Sequence, residues 1–113
     1  MSAERSSEAV DRLFAALADP KRRRAVELLG ARPYSAGELA GALGLAPPAM
    51  SRHLRALKDG GLVEDNYLSF DARVRIYRLK AGATAELKQW LAETEALWSD
   101  QLAAFKHHVE GGA

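Results

Sequence analysis

The chain has 113 residues, of which 48% are hydrophobic and 27% charged, and its formal net charge is +1. This composition is typical of a single globular domain (1–113) and excludes a chain that is disordered over its whole length. It contains no cysteine, which excludes a disulfide scaffold, a thiolate metal site and a cysteine nucleophile. No apolar run approaches the roughly 18 residues of a membrane span and the first residues lack a signal-peptide core, so we expect a cytoplasmic protein without membrane contact.

Three helices are predicted before residue 45. Asp19 and Pro20 begin the second helix, because aspartate is a good N-cap and proline is tolerated at the first helical position. Ser35 and Glu38 have the spacing of a capping box, which begins a third helix, and Gly44 is suited to end it. The first helix is indicated by apolar residues at the i, i+3, i+4, i+7 spacing, namely Val10, Leu13, Phe14 and Leu17.

A fourth helix and a β-hairpin follow. The helix is predicted over about 48–59, because proline can begin a helix and Gly60-Gly61 can end one. The apolar period then changes to that of strands over 62–68 and 74–79, which are joined by a polar tip. We therefore expect a wing-like hairpin over 62–79.

A last helix is predicted over 84–109, about 39 Å long at 1.5 Å per residue. Leu91, Trp98 and Phe105 lie seven residues apart along it. Such a stripe needs a partner helix, most simply its copy in a second chain, although packing on its own domain is the alternative. The predicted dimer interface through the first and last helices comprises Leu13, Leu87, Leu91, Trp98 and Phe105.

These elements, in this order, predict a winged helix-turn-helix, a mainly α fold with a small β-hairpin. Its core is expected over 8–80, with the wing at 62–79 and a dimerisation helix at 84–109. Residues 20–80 carry twelve basic and six acidic side chains, a net charge of +6, whereas residues 81–113 carry −3. The basic region could bind a polyanion, or it could consist of solvated helix faces.

The fourth helix separates apolar from basic side chains. At 100° per residue, Met50, Leu54 and Leu57 cluster on one side. Arg52 and Arg55 lie opposite, where a guanidinium can bind guanine O6 and N7 in the major groove of DNA. Serine or lysine beside them can bind phosphates. The DNA-binding residues predicted on this helix are Pro48, Ala49, Ser51, Arg52, His53, Arg55 and Lys58.

The hairpin is basic near its tip. Arg73 and Arg75 are predicted to reach backbone phosphates or the narrow minor groove. The alternative for each is a solvated charge on an edge strand.

Four segments together resemble the ArsR/SmtB family of bacterial repressors over about residues 10–91. They are ALADPKRR (16–23), SRHLRAL (51–57), GLV (61–63) and RIYRL (75–79). The resemblance implies a homodimeric winged-helix repressor that binds an operator near its own promoter and is often released by an inducer. It also implies DNA contacts by Ser51, Arg52 and Arg55. For His53 it allows a DNA-side role, although this side chain lies at the edge of the core stripe and could be packed or touch a phosphate.

The chain departs from the family's metal sensors. Their Cys-x-Cys motif is absent, and on the last helix only His107 and Glu110 have a spacing at which two side chains can chelate. Zinc sensing needs about four ligands. We therefore expect no metal and no cofactor, as in the metal-independent branch of the family. The sequence also contains no Gly-rich phosphate loop, HExxH or Gly-x-Ser-x-Gly motif, so we do not expect an enzyme.

Two alternatives to a simple repressor remain at this point. The same fold could respond to a small molecule or metal, with a ligand between the first and last helices. A dimeric protein-interaction module could instead bind a partner protein through the winged helix.

Overall fold

The structure, a computed structural model, describes residues 2–68 and 70–111. Helices predominate within these residues, and the strands are short. The elements in chain order are α1 (Ser2–Leu17), α2 (Pro20–Leu29), β1 (Tyr34–Ser35), α3 (Ala36–Leu43), α4 (Pro47–Asp59), β2 (Val63–Leu68), β3 (Asp71–Leu79) and α5 (Ala85–Gly111). The predicted winged helix-turn-helix is confirmed.

The predicted helix ends are confirmed by their hydrogen bonds. The Asp19 carboxylate accepts from two backbone N–H groups of α2, at 2.7 and 3.2 Å. Ser35 Oγ accepts from the Glu38 N–H at 3.1 Å, and Glu38 Oε1 accepts from the Ser35 N–H at 2.8 Å, which completes the capping box. That backbone hydrogen bond, aided by the charge of Arg32, lowers the pKa of Glu38. Gly44 ends α3 with a φ of +65°.

The sheet has three strands in the order β1-β3-β2, all antiparallel. Only the β2–β3 hairpin was predicted. The short strand β1 was missed because two residues cannot show an alternating pattern, and Tyr34 pairs with Tyr77 far along the chain. The second hairpin strand begins at Asp71 rather than at residue 74, and α4 begins at Pro47 rather than at residue 48.

The core lies between the helices and the base of the wing. Met50, Leu54 and Leu57 are buried, which confirms the predicted inner face of α4. Leu13 belongs to this core and is only 3% exposed. This burial corrects its assignment to the dimer interface, because a side chain enclosed by its own protomer has almost no surface to offer a partner. Helical period showed that Leu13 faces an apolar neighbour, but not which one.

Helix α5 projects from the domain. The radius of gyration is 19.2 Å and the longest dimension 71 Å, whereas a compact chain of this length has a radius of gyration of about 13 Å. Among the described residues, the base of α5 is anchored by Leu87 against the core and by an edge-to-face contact of Trp90 with Phe14 at 5.2 Å, while the side chains beyond Thr94 are exposed. The alternative in which α5 packs wholly on its own domain is therefore wrong. Among the helices described, none is both long and apolar enough to cross a membrane.

Gly60 lies where the end of α4 crosses α1. A Cβ at this position would come 2.7 Å from the Ala16 Cβ and 3.2 Å from the Arg12 carbonyl oxygen. We expect Gly60→Ala to lower the free energy of unfolding by about 1–3 kcal/mol, because two helices must move apart to admit the methyl group. Urea denaturation of the purified variant measures this change.

Gly41→Ala is the matched control. In the exposed middle of α3, a Cβ at Gly41 meets nothing within 4 Å, so this variant is expected to gain about 0.4–1 kcal/mol by restricting the unfolded chain. Equal stability of the Gly60→Ala variant and the wild type would contradict the close approach of α1 and α4.

Candidate nucleic-acid interface

The outer face of α4 is exposed and basic. Ser51, Arg52, Arg55 and Lys58 are exposed beside the buried apolar stripe. No residue in the described part of the chain forms a hydrogen bond or ion pair with the side chain of Arg52 or Arg55. Both guanidinium groups therefore present all their donors to the solvent, as recognition of a base edge or a phosphate requires.

The remaining predicted residues of α4 lie at its beginning and on its inner edge. Pro48 is exposed and Ala49 is half-buried, both in the first turn. His53 is half-buried, and its Nδ1 lies 3.4 Å from Nη1 of Arg22. The structure therefore turns His53 toward α2, away from the line of Arg52 and Arg55.

The basic residues 21–23 have a structural role that the sequence analysis did not predict. Lys21 Nζ donates to the Leu43 carbonyl oxygen at 2.9 Å, at the end of α3. Arg22 and Arg23 donate to carbonyl oxygens at the end of α1, with distances of 2.6 to 3.2 Å. These bonds satisfy carbonyl groups that have no partner inside their helices. The net charge of 20–80 therefore overstates the charge available to a polyanion.

Arg75 is held within the wing. Its Nε donates to Asp65 Oδ2 at 2.9 Å, and its guanidinium lies 4.8 Å from the centre of the Tyr67 ring. A hydrogen bond to the Tyr67 hydroxyl, with smaller contributions from Tyr77 and Asp65, raises the pKa of Arg75. Arg73 is exposed, in the part of β3 where the pairing register with β2 is irregular.

Asp65 was not predicted as a site residue. Its side chain is 8% exposed, and Lys58 Nζ contacts its Oδ1 at 2.7 Å while Arg75 contacts its other oxygen. Strand alternation places Asp65 on the same face of the sheet as Tyr67 and Tyr77. An acidic residue on the inner face of a basic hairpin is the signal that could have found it.

A groove of about 390 Å³ separates α4 from the wing. We call it the helix–wing groove. It brings together three of the predicted α4 residues and Arg75, whereas Arg73 lies outside it, nearer the tip of the wing. Its lining residues are Ser51, Leu54, Arg55, Lys58, Asp59, Arg75 and Tyr77.

The outer part of α5 carries an exposed apolar row of side chains. We call it the α5 stripe, and it consists of Leu91, Trp98, Leu102, Phe105 and Val109. Its members lie within about 60° of one another at 100° per residue. Leu87, the remaining predicted interface residue of α5, packs against the core at the base of the helix.

His107 and Glu110 are exposed near the end of α5. Among the described side chains, no three His, Asp or Glu lie close enough together to hold a metal ion.

Known proteins are similar to this chain in sequence. The family model described as "Bacterial regulatory protein, arsR family" matches residues 19–65. The HTH-type transcriptional regulator Rv2034 of Mycobacterium tuberculosis is 34% identical over 100 residues, 88% of each chain.

Two solved structures are similar over most of the chain. The ArsR-like transcriptional regulator from Rhodococcus sp. RHA1 is 32% identical, with a TM-score of 0.78 over 91% of this chain and 92% of that one. The homodimeric winged helix-turn-helix DNA-binding domain Mb0332 of Mycobacterium bovis is 28% identical, with a TM-score of 0.62 over 80% and 82%. The chain therefore belongs to the ArsR family of bacterial regulatory proteins, which are transcriptional regulators and not enzymes.

Proposed function

We propose that the protein is a homodimeric repressor that binds a partly palindromic operator. Two copies of α4 enter successive major grooves, and the wings contact the flanking backbone. The observation that carries this proposal is the exposed pair Arg52 and Arg55, which have no polar partner among the described residues and stand on a helix whose other face is buried.

Each part of the site has a role on DNA. Arg52 and Arg55 bind base edges, since a bidentate guanidinium distinguishes guanine from other bases. Ser51 and Lys58 flank them and bind phosphates, which fix the register of the helix. Arg73, exposed on the wing, contacts the backbone or the minor groove beside the recognised bases.

The α5 stripe supports dimerisation. Trp98 is 63% exposed in the single chain, and Phe105 and Leu102 are exposed to a similar degree. Exposed apolar side chains in one continuous row favour association, because burying them removes their surface from water. Pairing with a second copy of α5 buries this row, and the Mycobacterium bovis relative is homodimeric. A two-fold symmetric dimer matches a palindromic operator, because the two DNA half-sites are then related by the same symmetry.

A binding titration tests the proposal. The protein is titrated onto its own upstream DNA and onto scrambled DNA of equal length, at two salt concentrations. We expect preference for the upstream fragment to persist at the higher salt, because base contacts, unlike phosphate contacts, do not depend on counterion release. We call a DNA for which such preference is found the preferred duplex.

Two other results would count against the proposal. Equal and steeply salt-sensitive binding to both fragments would indicate charge-driven association only. Little affinity for either fragment at low salt would favour the protein-interaction module.

A second candidate function is a response to a small ligand. It is favoured by a cleft of about 380 Å³ between α1, the end of α4 and the turn that leads into α5, lined in part by Arg12, Lys80 and Glu86. A ligand in this cleft would contact both the domain and the root of α5. Thermal unfolding with small hydrophobic metabolites and divalent metals tests this candidate, since a ligand that binds only the folded state raises Tm.

A further inference from the structure

Asp65 is an acidic residue between the two basic elements that the proposed function places on DNA. One carboxylate oxygen contacts Lys58 in the last turn of α4, at 2.7 Å. The other contacts Arg75 on β3, at 2.9 Å. A single carboxylate therefore connects the recognition helix to the wing.

The three side chains differ in how much of their surface is exposed to solvent. The Asp65 side chain is almost enclosed, whereas Lys58 and Arg75 are about half exposed. Because the Asp65 carboxylate has little contact with water, its two ion pairs stabilise its charge. The cations keep part of their surface in water and can still meet a ligand. Both also line the helix–wing groove, one on each side.

We propose that Asp65 is a positioning residue for DNA recognition. It holds Lys58 and Arg75 on opposite sides of the helix–wing groove, so that one backbone phosphate meets both cations at a fixed separation. It also offsets part of their charge, which restrains binding to unrelated DNA. This inference rests on the proposed DNA-binding function and deepens it.

The Asp65→Asn variant tests the proposal on the preferred duplex and on scrambled DNA. Asparagine has nearly the same shape but lacks the charge that holds the two cations. We expect affinity for scrambled DNA to rise about 3- to 10-fold and the slope of log affinity against log salt to steepen by about 1. The reason is that a side-chain cation no longer neutralised by Asp65 can neutralise one more DNA phosphate and displace its counterion. Affinity for the preferred duplex should rise less, by about 1.5- to 2-fold, so that the ratio of the two affinities falls by about 2- to 5-fold.

Glu64→Gln is the matched charge control. Glu64 directly precedes Asp65 on β2 and pairs with Arg78 at 3.0 Å on the opposite face of the sheet. This variant makes the same change in net charge without touching the helix–wing groove. It should raise both affinities by a similar factor and leave their ratio unchanged. If Asp65→Asn and Glu64→Gln change the ratio equally, Asp65 acts through charge alone and the proposal is overturned.

Asp65→Glu separates position from charge, and it also keeps the test decisive if the asparagine variant fails to fold. The added methylene moves the carboxylate while net charge is constant. We expect a lower affinity ratio with an unchanged salt slope; an unchanged ratio would overturn the proposal.

A measurement without DNA keeps this inference distinct from the proposed function. In NMR spectra of the free protein, the Arg75 Nε–H resonance should shift and exchange faster with water in Asp65→Asn, but not in Glu64→Gln. An unchanged resonance in Asp65→Asn would overturn the positioning role whether or not the protein binds DNA. Failure of the wild type to prefer any DNA would instead count against the proposed function.

Discussion

Trp98→Glu is expected to convert the proposed dimer into a folded monomer. Affinity for the preferred duplex should then fall by about 100-fold or more, because the two half-sites are no longer bound by one linked molecule. Trp98 is exposed in the outer part of α5 and is not a member of the core, so the substitution leaves the protomer core intact. A carboxylate in the α5 stripe must be desolvated when two copies pair, which opposes association. Sedimentation equilibrium measures the mass, and circular dichroism checks the fold.

Ser99→Glu is the matched control for this prediction. It adds the same charge one residue along α5, about 100° away from Trp98 around the helix, and it should remain dimeric with unchanged DNA affinity. A Trp98→Glu variant that stays dimeric would show that the α5 stripe is not the interface. A wild type that is monomeric at micromolar concentration would refute dimerisation itself.

Arg52→Ala and Arg55→Ala are each expected to relax base discrimination by about 1–3 kcal/mol, which corresponds to about 5- to 150-fold in the ratio of affinities. The reason is that each guanidinium is exposed and has no polar partner among the described residues, so its loss affects DNA contacts and not folding. Competition of the preferred duplex against single-base variants measures the effect. If preference for the original bases survives both substitutions, α4 is not the element that reads them.

Two other arginines complete this test. Arg73→Ala should weaken binding to all sequences alike and reduce the salt slope by about 1, as loss of a phosphate contact does. Arg24→Ala removes the same charge from α2, where Arg24 is exposed and paired with Glu27 at 3.0 Å. It should leave both affinity and discrimination unchanged.

Local signals predicted much of this fold. The Asp19 cap, the capping box of Ser35 and Glu38, and Gly44 all act within a few residues, so their consequences can be worked out from the chain alone. The buried face of α4 was likewise predicted, because period alone determines which of its residues share a side.

Features that depend on distant partners could not be predicted. Lys21 and Arg22 look like surface charges in the sequence, but the ends of α3 and α1 supply carbonyl oxygens that bind them. Strand alternation gives the face on which Asp65 lies, but not that Lys58 of another element meets it there. Leu13 shows the same limit, since its period indicates an apolar neighbour that only the folded chain identifies.

In-vitro selection from a pool of random DNA duplexes most directly tests whether two copies of α4 read DNA as a symmetric pair. We expect enrichment of an inverted repeat whose half-sites are centred about 10–10.5 bp apart, because a two-fold dimer presents its recognition helices to successive major grooves. Enrichment of a single motif without two-fold symmetry would contradict the dimeric arrangement. No enrichment above the starting pool would contradict sequence-specific DNA binding.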